Sequence, residues 1–182
     1  MVTDHGKKHN SKKTVTLRID NETLTKLLEE AGQKRVNLSI LGNRIFKDHV
    51  DFHSRAIQAQ LIYLPKQLLV KMMDSIPDKM IEDIARYVVE NVMKGTIISM
   101  RGKYSFEEQL STLDSWLSVS GFPYEHKKDG NKHVYTIQHQ MGRKWSLYFE
   151  SGFSLMFKEF VRGNPRIMST NNAVVFELKL KE

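Results

Sequence analysis

The segment TVTLRID, residues 14–20, most constrains how this chain folds. Its apolar and polar side chains alternate strictly, with Val15, Leu17 and Ile19 on one side, and this period of two predicts a β-strand. No second alternating run lies within hairpin distance of the segment. A lone strand leaves its backbone donors and acceptors unpaired, so its partner must come from elsewhere.

Two short amphipathic helices are predicted directly after this strand. Asp20 or Asn21 is a good N-cap for the first helix, which the pattern ends at Gly32, and Asn37 caps a second helix that reaches about Val50. A unit of about forty residues has too little interior to be stable alone. The chain has no cysteine, and this segment has no cluster of metal ligands, so oligomerisation remains. A two-fold axis beside the strand would pair it with its copy in a second chain.

The stretch KTVTLRIDNETLTKLLEEAGQKRVNLSILGNRIFKDHV resembles the ribbon-helix-helix family of DNA-binding proteins, the Arc, MetJ and CopG type, over roughly residues 12–52. The likeness lies in the strand phase, the helix lengths and the capped turn before the second helix. It implies a homodimer whose paired strands enter the major groove of DNA. By strand phase, the resemblance assigns base contacts to Thr14, Thr16 and Arg18.

The polar side of this strand carries chemistry that suits base reading. The guanidinium of Arg18 can donate two parallel hydrogen bonds to guanine, and threonine offers a hydroxyl and a methyl to base edges. The alternative is an ordinary solvent-facing side of an amphipathic strand, where threonine is common. The two helices and a basic amino-terminal segment favour DNA reading.

Positive charge near the amino terminus predicts a salt-sensitive attraction to phosphates. The chain has a formal net charge of +7, and residues 1–13 are interpreted as a flexible basic arm. Lys12 and Lys13 are the predicted phosphate contacts of the arm. The resemblance adds the start of the second helix, whose amides face a phosphate in the family. The residues at that start are Asn37, Leu38 and Ser39.

The rest of the chain predicts a second, α+β domain. The N-terminal ribbon-helix-helix domain covers residues 14–53, residues 54–64 prolong its second helix or form a linker, and the second domain covers residues 65–182. Its helices pack on one side of a small, mainly antiparallel sheet. The predicted helices include Asp78–Met93 and one that Ser105 opens and Gly121 ends, and residues 96–100 are predicted as a short strand.

A hairpin is predicted from residue 124 to residue 139, because Asp129-Gly130 suits a type I′ turn between two alternating runs. That turn places His126 opposite His133 and Tyr124 opposite Tyr135. The two histidines are weak candidates for metal ligands, and two half-exposed histidines beside the hairpin lysines are the favoured interpretation. No metal or cofactor is expected. Residues 173–180 form the last predicted strand.

Aromatic residues recur at helical spacing in the segment WSLYFESGFSLMFKEF, residues 145–160. Such a stripe usually belongs to a hydrophobic core, and it can also line a pocket. For a pocket, four residues at the start of the stripe are the candidate effector contacts. They are His139, Arg143, Trp145 and Ser146.

These patterns together predict a cytoplasmic homodimer, or a tetramer formed by two dimers, that binds double-stranded DNA and represses transcription by occupying promoter DNA. The chain has no catalytic or phosphate-binding motif, no secretory signal and no membrane-spanning apolar run, so neither an enzyme nor a membrane protein is expected. Two alternatives remain open. One is a dimeric, antitoxin-like protein-interaction module, and the other is a small-molecule-binding or catalytic domain carried on a dimerising handle.

Overall fold

The computed structural model describes residues 13–181, which divide into two compact units, one ending at Arg44 and the other beginning at Ile45. Residues 13–20 are exposed and have no regular secondary structure. Helices α1 (Asn21–Gln33) and α2 (Leu38–Asp48) follow them. The predicted strand is therefore not formed in the single chain. Lys12 and the rest of the predicted arm before it lie outside the described residues.

Both helices of the first unit begin as the sequence predicts. The Asp20 carboxylate accepts a hydrogen bond from the Thr23 amide at 2.8 Å, and the Asn37 side-chain oxygen accepts one from the Ile40 amide at 2.8 Å. Helix α1 runs one residue past Gly32, and Arg35 takes the left-handed conformation that closes it, with φ of 53°. Sequence alone favoured glycine for that role, and the structure gives it to arginine.

Helices make up most of the second unit before the sheet. This unit begins within α2, which is followed by a π-helical turn, His49–His53, and by α3 (Ser54–Ala56). The remaining helices are α4 (Lys66–Asp74), α5 (Asp78–Val88), a second π-helical turn (Val89–Met93), α6 (Lys94–Arg101), α7 (Phe106–Ser120) and α8 (Arg143–Phe157). Each π turn continues the helix before it without a break.

The predicted short strand at residues 96–100 is wrong, because helix α6 occupies this stretch. Short apolar runs with β-branched residues do not distinguish strand from helix by periodicity alone. The buried residues of the run are Thr96, Ile97 and Met100. They occupy positions i, i+1 and i+4, which lie on one face of a helix. The capping serine and terminal glycine predicted for α7 are confirmed, with Ser105 at its start and Gly121 at its end.

Four antiparallel strands form the sheet, which confirms the α+β prediction. They are β1 (Tyr124–Asp129), β2 (Lys132–Gln138), β3 (Arg166–Ser169) and β4 (Ala173–Lys179), in the order β1-β2-β4-β3. The sequence did not predict β3. Alternate residues of β2 and β4 are buried, among them Tyr135 and Phe176, and they pack with apolar residues of α7 and α8 in one core. The helices α7 and α8 thus cover the inner side of the sheet.

The predicted hairpin exists, but its predicted register is wrong. Asp129 pairs with Lys132, so the two-residue loop is Gly130-Asn131, and the positive φ of Gly130, 56°, fits a type II′ turn. His126 therefore lies opposite Tyr135 instead of opposite His133. A shift of two residues keeps every side chain on the same side of the strand, so the alternating pattern could not distinguish the two registers.

Candidate functional site

The second unit contains a cavity of about 320 Å³ among its helices. Residues of α4, α5, α6, α7 and α8 line it, and both π-helical turns contribute, through Phe52 of the first and Val89 and Met93 of the second. The lining is almost wholly apolar and aromatic, and no charged side chain of the described chain belongs to it. A partly open cavity of this size and character matches the small-ligand sites of proteins, which span about 300–1,000 Å³.

Two polar groups on the cavity lining already have partners in the protein. The Thr112 hydroxyl donates to the Glu108 carbonyl at 2.7 Å and accepts from the Arg101 guanidinium at 3.2 Å. The indole N–H of Trp145 donates to the Leu69 carbonyl at 3.3 Å. These bonds hold α6 to α7 and α4 to α8, so they position the walls of the cavity and leave little polar surface for a ligand.

Two residues of the lining, Thr96 and Tyr148, carry hydroxyl groups that have no such partner. Within residues 13–181, the hydroxyls of Thr96 and Tyr148 make no hydrogen bond to another protein group. Burial raises the pKa of the Tyr148 phenol, so this group stays protonated at physiological pH. A neutral hydroxyl in such a setting can donate to or accept from a bound molecule.

Of the four predicted pocket residues, Trp145 is the one that lines the cavity. Arg143 is exposed and forms an ion pair with Asp78. His139 and Ser146 are both buried, and they hydrogen-bond to each other at 2.9 Å. The structure therefore places these two polar side chains in a local network rather than on the cavity lining.

The network around His139 selects one neutral tautomer. The Met141 amide donates to Nδ1 at 3.1 Å, so Nε2 carries the proton and donates to the Ser146 hydroxyl, which in turn donates to the Thr170 carbonyl. A second proton on the ring would face the Met141 N–H. Burial, followed by the charge of Lys66, lowers the pKa of His139 to about 4. This histidine is therefore a neutral structural group at physiological pH.

The two hairpin histidines contact each other diagonally across β1 and β2. Nε2 of His126 lies 2.9 Å from Nδ1 of His133, and Nδ1 of His126 lies 3.4 Å from the Asp114 carboxylate. Asp114 also accepts a hydrogen bond from the Tyr135 hydroxyl at 2.9 Å. Burial lowers the pKa of His133, with the charge of His126 as the next cause. No group of three metal-ligand side chains occurs within residues 13–181.

The predicted base contacts lie in residues 13–20, the segment before α1 that has no regular secondary structure. Thr14, Thr16 and Arg18 are all exposed. The apolar residues between them are exposed as well, with Val15 74%, Leu17 54% and Ile19 40% accessible. Both the polar and the apolar side chains of this segment are therefore exposed to solvent in the single chain.

The predicted phosphate contacts at the start of α2 are in place at a helix N-terminus. Asn37 is exposed, and its side chain accepts the Ile40 amide as the cap of the helix. Leu38 and Ser39 are the first two residues of the helix, where amides have no partner within the helix. Lys13 is exposed in the extended segment.

No protein-family model, no curated protein and no solved structure matches this chain. Within residues 13–181, no helix combines the length and the apolar character that crossing a membrane requires.

The sequence analysis missed most of the cavity, because residues distant in sequence form it. Phe52 and Met93 come from π-helical turns, which no spacing rule in the sequence indicated. One available signal was Gly152, a helix-disfavouring residue in the middle of the aromatic stripe. It lies in α8 and lines the cavity.

Proposed function

We propose that this chain is a homodimeric, sequence-specific DNA-binding protein that regulates transcription, and represses it by occupying promoter DNA. One observation carries the proposal. Residues 13–19 leave the apolar side chains of Val15, Leu17 and Ile19 uncovered between side chains suited to base reading, and the backbone of these residues makes no hydrogen bond to another backbone group in the described chain.

The first unit supports dimerisation through its small interior. Among residues 13–44, only Ala31 and Leu41 are buried, while Val15, Leu28 and Ile40 are each more than half exposed. A second copy of the segment can pair antiparallel with the first, which satisfies both backbones and covers both apolar sides. Burial of this apolar surface is the driving force for association.

Pairing of the two segments would turn the threonine and arginine side chains outward on a two-stranded ribbon. A ribbon of two strands fits the major groove of B-DNA. Arg18 is exposed, and an extended guanidinium can form two hydrogen bonds with guanine. The exposed start of α2 and Lys13 supply groups that suit phosphates on either side of the groove.

Selection from random DNA duplexes tests the proposal directly. The full chain should enrich a symmetric or tandem sequence, and Arg18→Ala should reduce the preference for that sequence by about 5- to 150-fold, since a bidentate contact discriminates by about 1–3 kcal/mol. Arg86→Ala is the matched control, because it removes the same charge from an exposed position of α5 in the second unit. It should leave the selected sequence unchanged.

Two outcomes would contradict the proposal. If the full chain enriches no sequence, it does not read DNA bases. If Arg18→Ala and Arg86→Ala select the same sequence with equal preference, Arg18 is not a base contact. Sedimentation of Arg18→Ala at matched concentration verifies that the variant keeps the oligomeric state of the wild type.

A further inference from the structure

A glycine in a helix is one of the residues that line the cavity in the second unit. Gly152 is in the middle of the 15-residue helix α8, where glycine is less favourable than alanine by about 1 kcal/mol. Apart from its chain neighbours and the backbone of its own helix, a Cβ atom built on Gly152 meets no heavy atom within 4 Å. Close packing therefore does not require glycine here, and the space beside it is part of the cavity.

Two π-helical turns shape the same cavity. His49–His53 supplies Phe52, and Val89–Met93 supplies Val89 and Met93. A π turn is less stable than an α-helical turn, and such turns occur frequently at functional sites. Both turns in the described chain contribute lining residues, so two costly backbone features and one costly glycine coincide at one place.

The lining restricts the charge of what the cavity can hold. No side chain of Lys, Arg, Asp, Glu or His belongs to the lining in the described chain, and the walls are aliphatic and aromatic. A charged ligand would lose its hydration without gaining a counter-charge, which is strongly unfavourable. A neutral apolar molecule gains free energy from leaving water.

We propose that this cavity is the binding site for a neutral, mainly apolar small molecule, in a lining to which the hydroxyl-bearing residues Thr96 and Tyr148 contribute. The site is confined to the second unit and does not require that the chain binds DNA.

A matched pair of fluorescent probes tests the charge requirement on the full chain. N-phenyl-1-naphthylamine is neutral, aromatic and carries one N–H donor, and 8-anilinonaphthalene-1-sulfonate has the same ring system with an added sulfonate. Titration of the protein should show saturable binding of the neutral probe, with the charged probe bound at least about tenfold more weakly. Absence of saturable binding by the neutral probe, or equal affinity for the two, would overturn the proposal.

Filling the cavity from Gly152 tests the location. Gly152→Leu should weaken binding of the neutral probe by about tenfold or more, because the new side chain occupies ligand space. Gly95→Leu is the matched control, since Gly95 is an exposed glycine of α6 that also has open space at its Cβ position and does not line the cavity. It should bind the probe as the wild type does. Equal affinity of both variants would place the probe elsewhere and contradict the site.

Methionine methyl NMR on the unmodified chain locates the probe even if Gly152→Leu fails to fold. Met93, Met100, Met141 and Met156 line the cavity, whereas Met168 is 70% exposed and lies on β3. The neutral probe should shift the methyl signals of the four cavity methionines and leave that of Met168 in place. Shifts confined to exposed methionines would overturn the proposal.

Discussion

At the scale of single residues, burial keeps the ring of His139 neutral and its hydrogen bonds select the tautomer. Its Nδ1 accepts the Met141 amide and its Nε2–H donates to the Ser146 hydroxyl. The sequence placed both side chains near the start of the aromatic helix and assigned them to a pocket. It could not show that they bond to each other, because the loop between β2 and α8 brings them together.

The lowered pKa of His139 predicts acid sensitivity. The unfolded chain binds a proton on this ring near the ordinary pKa of 6.5, while the folded chain resists protonation until about pH 4. Stability is therefore fully present above pH 6.5 and falls by roughly 3 kcal/mol as the pH is lowered to 4. His139→Asn removes the titrating ring, and the asparagine side-chain oxygen can still accept a hydrogen bond from the backbone amide of Met141. Urea unfolding should show a shallower loss of stability for this variant below pH 6.5.

The exposed His49 provides the control for this measurement. His49→Asn makes the same substitution at an exposed position outside the hydrogen-bond network of His139, so the loss of stability that His139 causes in acid should remain in this variant. His133 also has a lowered pKa, so some loss of stability in acid should persist in His139→Asn. Identical pH dependence of the wild type and His139→Asn would contradict the lowered pKa of His139.

At the scale of elements, side-chain caps were readable from the sequence and strand register was not. Asp20, Asn37 and Ser105 each cap the helix that follows, because capping depends on residues three positions apart. The hairpin register depends on which of two overlapping dipeptides forms the two-residue loop. Both Asp129-Gly130 and Gly130-Asn131 are acceptable turn sequences, so local chemistry does not choose between them.

Substitutions in the hairpin loop distinguish the observed register from the predicted one. Gly130→Ala should destabilise the protein by about 1 kcal/mol or more, because alanine is strained at the positive φ of this position. Asp129→Ala should change stability by no more than about 0.5 kcal/mol, since Asp129 is a strand residue that pairs with Lys132. Chemical denaturation of both variants measures the difference. Equal destabilisation would favour a loop centred on Asp129-Gly130.

At the scale of the whole molecule, sequence patterning predicted the α+β class but not the cavity. Periodicity identified the amphipathic helices and the alternating strands β2 and β4, since each pattern is local. The cavity arises from helices far apart in sequence, so no local pattern contained it. The partner of residues 14–19 is likewise absent from the described chain, and the proposed two-fold axis supplies it.

In the proposed dimer, one side of residues 14–19 is buried against the second copy and the other side faces solvent. Leu17→Lys should weaken dimerisation by about a hundredfold or more, because the two-fold axis buries two unpaired ammonium groups. Thr16→Lys adds the same charge on the opposite, solvent-facing side and should leave the dimer intact. Analytical ultracentrifugation of the full chain over a concentration series measures both. A wild type that sediments as a monomer at all concentrations, or equal effects of both variants, would contradict the pairing.

The π-helical turn at Val89–Met93 sets the rotational phase of the residues that follow it. Each residue of a helix advances the chain by about 100° around the axis. A π turn contains one residue more than the α-helical turn it replaces, so loss of a single residue within it would restore α-helical winding and keep Thr96 and Met100 on the cavity wall. Loss of a residue from a regular α-helical turn would instead rotate everything after it by about 100°. Val89–Met93 is thus a place where this helix tolerates a change of length.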